Sequence, residues 1–268
     1  MSSETLRLAL CQHDTVWENA PETLRRIDSP VRRFCEKARP DILLFPEAFS
    51  TGFTMNPAQA EPEDGPSASW LRSIASCCSV AVIASVPTVV KDTDGEERRY
   101  NRCRFITPDG REEIYDKRHL FATSGESPAF SHGKSRTTVS YKGWRIELNV
   151  CYDLRFPVWS RNAGELYDLL INIANWPDSR IEAAQILLRA RAVENACYAA
   201  FCNRIGRDAI CRYNGKSMIL DYLGHDIARS RRVGGVRFFS SELKMEPLRH
   251  YREKFPVSRD SDRFEILI

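Results

Sequence analysis

Three residues of this 268-residue chain stand where apolar strands give way to polar turns, and their side chains are a carboxylate, an amine and a thiol. In Ile42-Leu43-Leu44-Phe45-Pro46-Glu47, Pro46 ends the strand and Glu47 falls just past its carboxyl end, where open α/β sheets bind ligands. Between Ile114 and Phe121 an apolar strand runs into a polar knot that holds Lys117, then resumes with Leu120 and Phe121. From Trp144 to Cys151, one face of a strand carries Trp144, Ile146, Leu148 and Val150, and the other Arg145, Glu147, Asn149 and Cys151. On that alternation Cys151 continues the polar face at a strand-to-turn junction, where nearby charges can stabilise a thiolate nucleophile. Each residue alone also has a plainer reading: a solvated loop glutamate, a surface lysine, a core thiol. The core reading suits Cys103, Cys197 and Cys202 better than Cys151.

Positioning these groups falls to interleaved strands and helices. Leu6–Leu10 alternates as a strand, Asp41–Phe45 and Asp168–Ile173 are short apolar runs buried on both faces, and Val80–Val86 is a further strand. Glu18–Lys37 has Leu24, Ile27, Val31 and Phe34 at helical spacing, with Pro30 expected to kink or divide it. Ser67–Cys78 reads as a helix. Tyr100–Ile106 and Arg111–Tyr115 flank the turn signal Pro108-Asp109-Gly110. Ile181–Ala196 reads as an amphipathic helix with Ile181, Ala184, Leu188 and Val193 on its inner face. Tyr198–Cys202 and Ser217–Leu220 are later strands. No linker divides the chain, so 1–268 is read as one α/β layered domain.

Composition narrows the function. A formal net charge of +3 with scattered basic residues argues against nucleic acid or an anionic membrane as partner. No apolar run reaches the roughly 18 residues of a membrane span. Met1–Arg7 lacks the apolar core of a secretory leader, which points to the cytoplasm and to free thiols among the nine cysteines. Two Gly-Lys-Ser triplets fail as phosphate loops, because Ile210 and Pro128 stand where the earlier glycine is needed. There is no G-x-G-x-x-G and no G-x-S-x-G. The five histidines are dispersed, and no metal is expected.

Phe45-Pro46-Glu47, Tyr115-Asp116-Lys117-Arg118-His119-Leu120-Phe121 and Cys151-Tyr152-Asp153-Leu154-Arg155-Phe156-Pro157 resemble the three signatures of the nitrilase (carbon–nitrogen hydrolase) superfamily, in its order. Ile171–Pro177 and Arg189–Asn195 resemble the segments that follow. Within the superfamily, Trp159–Asn162, Ala174–Pro177 and Tyr251–Pro256 are most similar to bacterial omega-amidases of the YafV type. The resemblance implies a four-layer αββα sandwich, a homodimer, and a C-terminal tail, about 241–268, in dimer contacts.

The resemblance also implies the chemistry: hydrolysis of a small-molecule amide through a thioester, without a cofactor. It makes Cys151 the nucleophile, Glu47 the general base, Lys117 the oxyanion cation, Glu126 a supporting carboxylate and the Tyr152 N–H a second oxyanion donor. Trp176 and Phe53 are expected to line the pocket. The implied substrates are short 2-oxo acids with a distal amide, such as 2-oxoglutaramate and 2-oxosuccinamate. Their carboxylate needs a partner, for which Arg118, Arg155 and Arg180 are candidates by position. A nitrile or another amide as substrate, and a non-catalytic binding protein of the same fold, are the alternatives.

Overall fold

The apolar runs are buried on both sides, and each side faces a different core. In the computed structural model, which describes residues 4–91, 95–262 and 264–267, the elements are β1 (Thr5–Gln12), α1 (Ala20–Ala38), β2 (Ile42–Leu44), β3 (Glu61–Pro62), α2 (Pro66–Cys78), β4 (Ala81–Lys91), β5 (Glu97–Ile106), β6 (Glu112–Asp116), α3 (Glu126–Ala129), β7 (Thr138–Tyr141), β8 (Trp144–Val150), β9 (Leu169–Ala174), α4 (Ile181–Glu194), β10 (Tyr198–Asn203), β11 (Ile205–Arg207), β12 (Arg212–Asn214), β13 (Met218–Leu220), β14 (Arg229–Val233), β15 (Val236–Lys244) and α5 (Met245–Lys254). Met1–Ser3, where the segment read for a leader begins, lie outside the described residues, as do Arg263 and Ile268 of the tail.

The strands form two large sheets. One runs β14-β15-β1-β2-β4-β5-β6, with β3 on β4; the other runs β13-β10-β9-β8-β7. Strand alternation then builds four layers. Leu8 and Leu10 of β1, Ile42 and Leu44 of β2, and Ile171 and Ile173 of β9 meet between the sheets. Ala9, Leu43 and Phe45 point the other way, against Ile27, Val31 and Phe34 of α1 and Leu71 and Ile74 of α2. Leu170, Ala199 and Phe201 likewise back onto Ala184, Leu188 and Ala192 of α4. The result is the expected αββα sandwich. β1, β2 and β4 are mutually parallel, as are β8, β9 and β10, so their carboxyl ends collect the turns that follow them.

Several local expectations change. α1 runs unbroken through Pro30, capped by Asn19, whose side chain accepts from the Glu22 N–H. Pro30 removes one helical hydrogen bond but is itself buried, beside Gly234 at the turn between β14 and β15, and that packing helps keep the helix whole. The inner face of α4 carries Ala184, Leu188, Arg191 and Ala192, whereas Val193 is 46% exposed. A step of four residues keeps a side chain on one face; the step of five from Leu188 to Val193 rotates it outward. The segment after Ala228, given no element from sequence, supplies β14, β15 and α5. β15 pairs with the whole length of β1, and Met245 and Leu248 of α5 join the core between the sheets. Among the described residues, no helix is long and apolar enough to cross a membrane.

The corrected face of α4 is testable by denaturant unfolding. Leu188→Ala is expected to cost about 2–5 kcal/mol, as burial of a large apolar side chain requires. Val193→Ala is expected to stay within about 0.5 kcal/mol. Equal losses at the two positions would contradict the assignment.

Candidate active site

Glu47, Lys117 and Cys151 each follow the end of a strand. Glu47 follows β2; its neighbour Ala48 turns the chain with φ +41°, and the Ala48 N–H donates to Ser85 Oγ at 2.8 Å. Lys117 follows β6, and its backbone N–H is held by the Asn101 carbonyl at 3.1 Å. Cys151 follows β8 and opens a short 3-10 turn, Cys151–Arg155. It does not continue the strand's alternation. The strand stops at Val150, and Cys151 takes φ +48°, a left-handed conformation that re-aims its side chain.

The structure brings these residues together with Glu126. Lys117 Nζ lies 2.8 Å from Glu47 Oε1 and 2.9 Å from both Glu126 oxygens, and all three side chains are fully buried. Glu126 begins α3 directly after Gly125, whose φ of +81° suits a residue without Cβ. Two asparagines that sequence reasoning missed complete the arrangement. Asn101 Nδ2 donates to Glu47 Oε1 at 2.8 Å and to Glu126 Oε1 at 3.3 Å. Asn175 donates its backbone N–H to Glu47 Oε2 at 2.9 Å and its side-chain amide to the Glu47 carbonyl. Asn175 stands just past β9, the same strand-end position that marked the other three, so that signal was available. Asn101 lies inside β5, where no local signal marks it.

A second network ties the lysine turn to the cysteine turn. The buried Asp153 carboxylate accepts from Tyr115 Oη at 2.7 Å, the His119 N–H at 2.9 Å and the Val150 N–H at 3.0 Å. His119 Nδ1 also lies 2.8 Å from it, and the His119 ring stacks on Phe156.

Electrostatics follow from this packing. Burial disfavours the Lys117 ammonium, but Glu126 and then Glu47 outweigh it and hold the lysine protonated beyond its usual range. Burial raises the Glu126 carboxyl against the pull of Lys117, with the Glu47 charge adding to the rise. Burial also pushes the Cys151 thiol well above its ordinary value, reinforced by Glu47 and opposed by Lys117. The balance favours the protonated thiol.

A cavity of about 720 Å³ opens onto this centre. Lys117, Cys151, Tyr152, Trp176 and Phe53 all line it, with the Lys117 Nζ 5.0 Å from the Phe53 ring centre. Arg155 and Arg180 line it too, as do Trp17 and Phe121. Arg118 does not: it donates to the Gly133 carbonyl at 3.1 Å and lies over the Trp159 ring. Among the described residues, no group of three or more His, Cys, Asp and Glu is placed to hold a metal ion.

Residues 7–236 match the Carbon-nitrogen hydrolase family. The chain is 41% identical to omega-amidase YafV of Yersinia enterocolitica, over 98% of this chain and 99% of that one. It is 30% identical to the 2-oxoglutaramate amidase of Bacillus subtilis, over 94% and 96%. Its fold superposes with a TM-score of 0.89 on a CN-hydrolase superfamily protein of Xanthomonas campestris that carries an arsenic adduct in its active site, at 34% identity over 98% and 99% of the two chains.

Two outcomes follow from the geometry. A Cβ at Gly133 would stand 1.9 Å from the Asp116 carbonyl oxygen, and the Gly133 N–H donates to the Lys117 carbonyl. Gly133→Ala must therefore displace the backbone that carries Lys117, and kcat is expected to fall by about 100-fold; an unchanged kcat in the folded variant would refute the coupling. The second outcome concerns the thiol. Alkylation of Cys151 by iodoacetamide at pH 7 is expected to be at least about tenfold slower in folded Glu47→Gln than in the native protein, because burial favours the protonated thiol and Glu47 is the group placed to take that proton. Equal rates in the two proteins would mean a resting thiolate instead.

Proposed function

The chain belongs to the carbon–nitrogen hydrolase family, and from that premise we propose that it is an omega-amidase that releases ammonia from the distal amide of short 2-oxo acids. The observation that carries this reading is the buried cluster of Glu47, Lys117 and Glu126 beside the Cys151 thiol at the floor of one cavity. Full-length relatives of that activity support the substrate class.

The residues divide the reaction between them. Glu47 takes the proton from Cys151 Sγ as the sulfur attacks the amide carbon. The carbonyl oxygen becomes an oxyanion, which the Lys117 ammonium and the Tyr152 N–H stabilise; each such donor is worth about 3–4 kcal/mol. When the intermediate collapses, the C–N bond breaks and Glu47 passes its proton to the leaving nitrogen, which departs as ammonia. Water then attacks the thioester, losing a proton to Glu47, and the C–S bond breaks to give the carboxylic acid and the thiol. Glu126 takes no proton in this scheme. It holds Lys117 from a second side and accepts the Phe121 N–H at 2.6 Å, fixing the loop over the site. The scheme uses no cofactor.

Further parts of the reading concern the protein's setting. The nine free cysteines support a reducing, cytoplasmic location. Exposed apolar side chains in and beside the C-terminal tail (Leu166, Phe255, Phe264 and Leu267) support pairing of two copies.

Ammonia release across 2-oxoglutaramate, glutamine, a carbamoyl-β-amino acid and an aliphatic nitrile tests the substrate class. The 2-oxo amide is expected to turn over fastest, and faster hydrolysis of the nitrile would overturn the assignment. Cys151→Ala is expected to lower kcat by more than about 1,000-fold while leaving the melting temperature at or above that of the native protein. Full activity in that variant would refute the covalent route.

A further inference from the structure

Two helices cover the outer face of the larger sheet, and their contacts advance together. α1 links β1 to the parallel strand β2, and α2 leads into β4, parallel to both, so the helices run in the same direction. Trp70 Nε1 of α2 donates to Asp28 Oδ1 of α1 at 2.9 Å. One turn further along both, Arg32 Nη2 donates to Ser73 Oγ at 3.4 Å. The next turn of α1 carries Cys35, and the next turn of α2 carries Cys77 and Cys78. This register sets Cys35 against Cys78 across the helix pair, with the Arg32 guanidinium beside them.

The surroundings make the two thiols unequal. Cys35 is 2% exposed, whereas Cys78 is half-buried and opens toward solvent beside the exposed Cys77. Contact with Cys78 and then burial push the Cys35 thiol up. Contact with Cys35, helped by the Arg32 charge and opposed by burial, brings the Cys78 thiol below its ordinary range. Cys11 and Cys202 are also neighbours, the Cys202 Sγ lying 3.8 Å from the Cys11 carbonyl, but both are fully buried and burial pushes both thiols up. Neither Cys35 nor Cys78 lines the cavity that holds Cys151.

We propose that Cys78 and Cys35 form a reversible oxidation site for hydroperoxides, separate from the amidase centre, in which a disulfide staples α1 to α2. Cys78 is the attacking residue and Cys35 the resolving one. The Cys78 sulfur attacks the peroxide: an S–O bond forms, the O–O bond breaks, and the departing oxygen takes a proton and leaves as an alcohol, or as water from hydrogen peroxide. The Cys35 sulfur then attacks the Cys78 sulfenic acid. The S–S bond forms, the S–O bond breaks, and the hydroxyl leaves as water with the Cys35 proton. In total the two thiols give up two electrons and two protons, and the peroxide takes up both. Both residues lie in the last turn of their helices, where local adjustment costs least as the sulfurs close to about 2.05 Å.

Peptide mapping without reductant tests the pair, after the native protein is treated with a slight excess of hydrogen peroxide and its remaining thiols are alkylated. Tryptic Phe34–Lys37 carries Cys35, and Ser73–Lys91 carries Cys77 and Cys78. These two peptides are expected to be disulfide-linked, and dithiothreitol is expected to separate them. The link is expected to survive in Cys77→Ser and to fall at least about tenfold in Cys78→Ser. In Cys35→Ala, dimedone is expected to label Cys78 as a sulfenic acid left without its resolving thiol. An unlinked native protein, or an undiminished link in Cys78→Ser, overturns the pair. The native map requires no variant to fold and no amide to be turned over, so its outcome is independent of the amidase reading.

Discussion

A lysine ammonium sealed between two carboxylates is the arrangement on which the rest of the site depends. Removing three charged groups from water is costly, and their mutual attraction offsets that only when the remaining hydrogen-bonding capacity is filled. Here it is filled from four directions: Asn101 from β5, the Asn175 N–H from the end of β9, the Phe121 N–H from the loop before α3, and the lysine itself from the end of β6. Shifting any of these elements leaves a buried charge short of a partner. The cluster thus constrains the relative placement of both sheets, because Glu47 belongs to one and Asn175 to the other.

The two sheets in turn explain why so small a chemical centre needs so large a scaffold. A strand buried on both faces can carry a polar side chain only where a partner reaches it, as Arg136 reaches Glu147 and Ser160 reaches Asn149 in β8, so groups meant for a ligand gather at the carboxyl ends. β2, β8 and β9 end in Glu47, Cys151 and Asn175 respectively. Asp153 closes the remaining gap by tying the His119 and Val150 N–H groups to one carboxylate, which locks the lysine turn to the cysteine turn. The thiol's position is therefore set by side chains that never touch it.

This logic also separates what the sequence discloses from what it conceals. Apolar runs such as Ile42–Phe45 and Asp168–Ile173 announce buried strands, and a polar residue at the end of each run announces the site. The layers follow from the same runs. Asn101 was hidden because its partners are assembled from residues distant in sequence, and nothing in Tyr100–Ile106 distinguishes a polar side chain turned toward a charge cluster. β15 was hidden because its Arg237, Ser240, Ser241 and Glu242 obscure the period-2 pattern. They can be polar because only part of that strand is covered, while its ladder with β1 supplies the rest of its stability. The inner face of α4 was misread by one residue, since a helical face tolerates a step of four but not of five.

The backbone at Cys151 carries a consequence beyond geometry. A left-handed φ at a residue other than glycine costs about 1–2 kcal/mol, and glycine would adopt the conformation more easily. The chain nevertheless holds there the thiol proposed as nucleophile, on the wall of its cavity. This is a position where stability and reactivity pull in opposite directions, so selection for thermal robustness alone would tend to replace the residue that the chemistry requires.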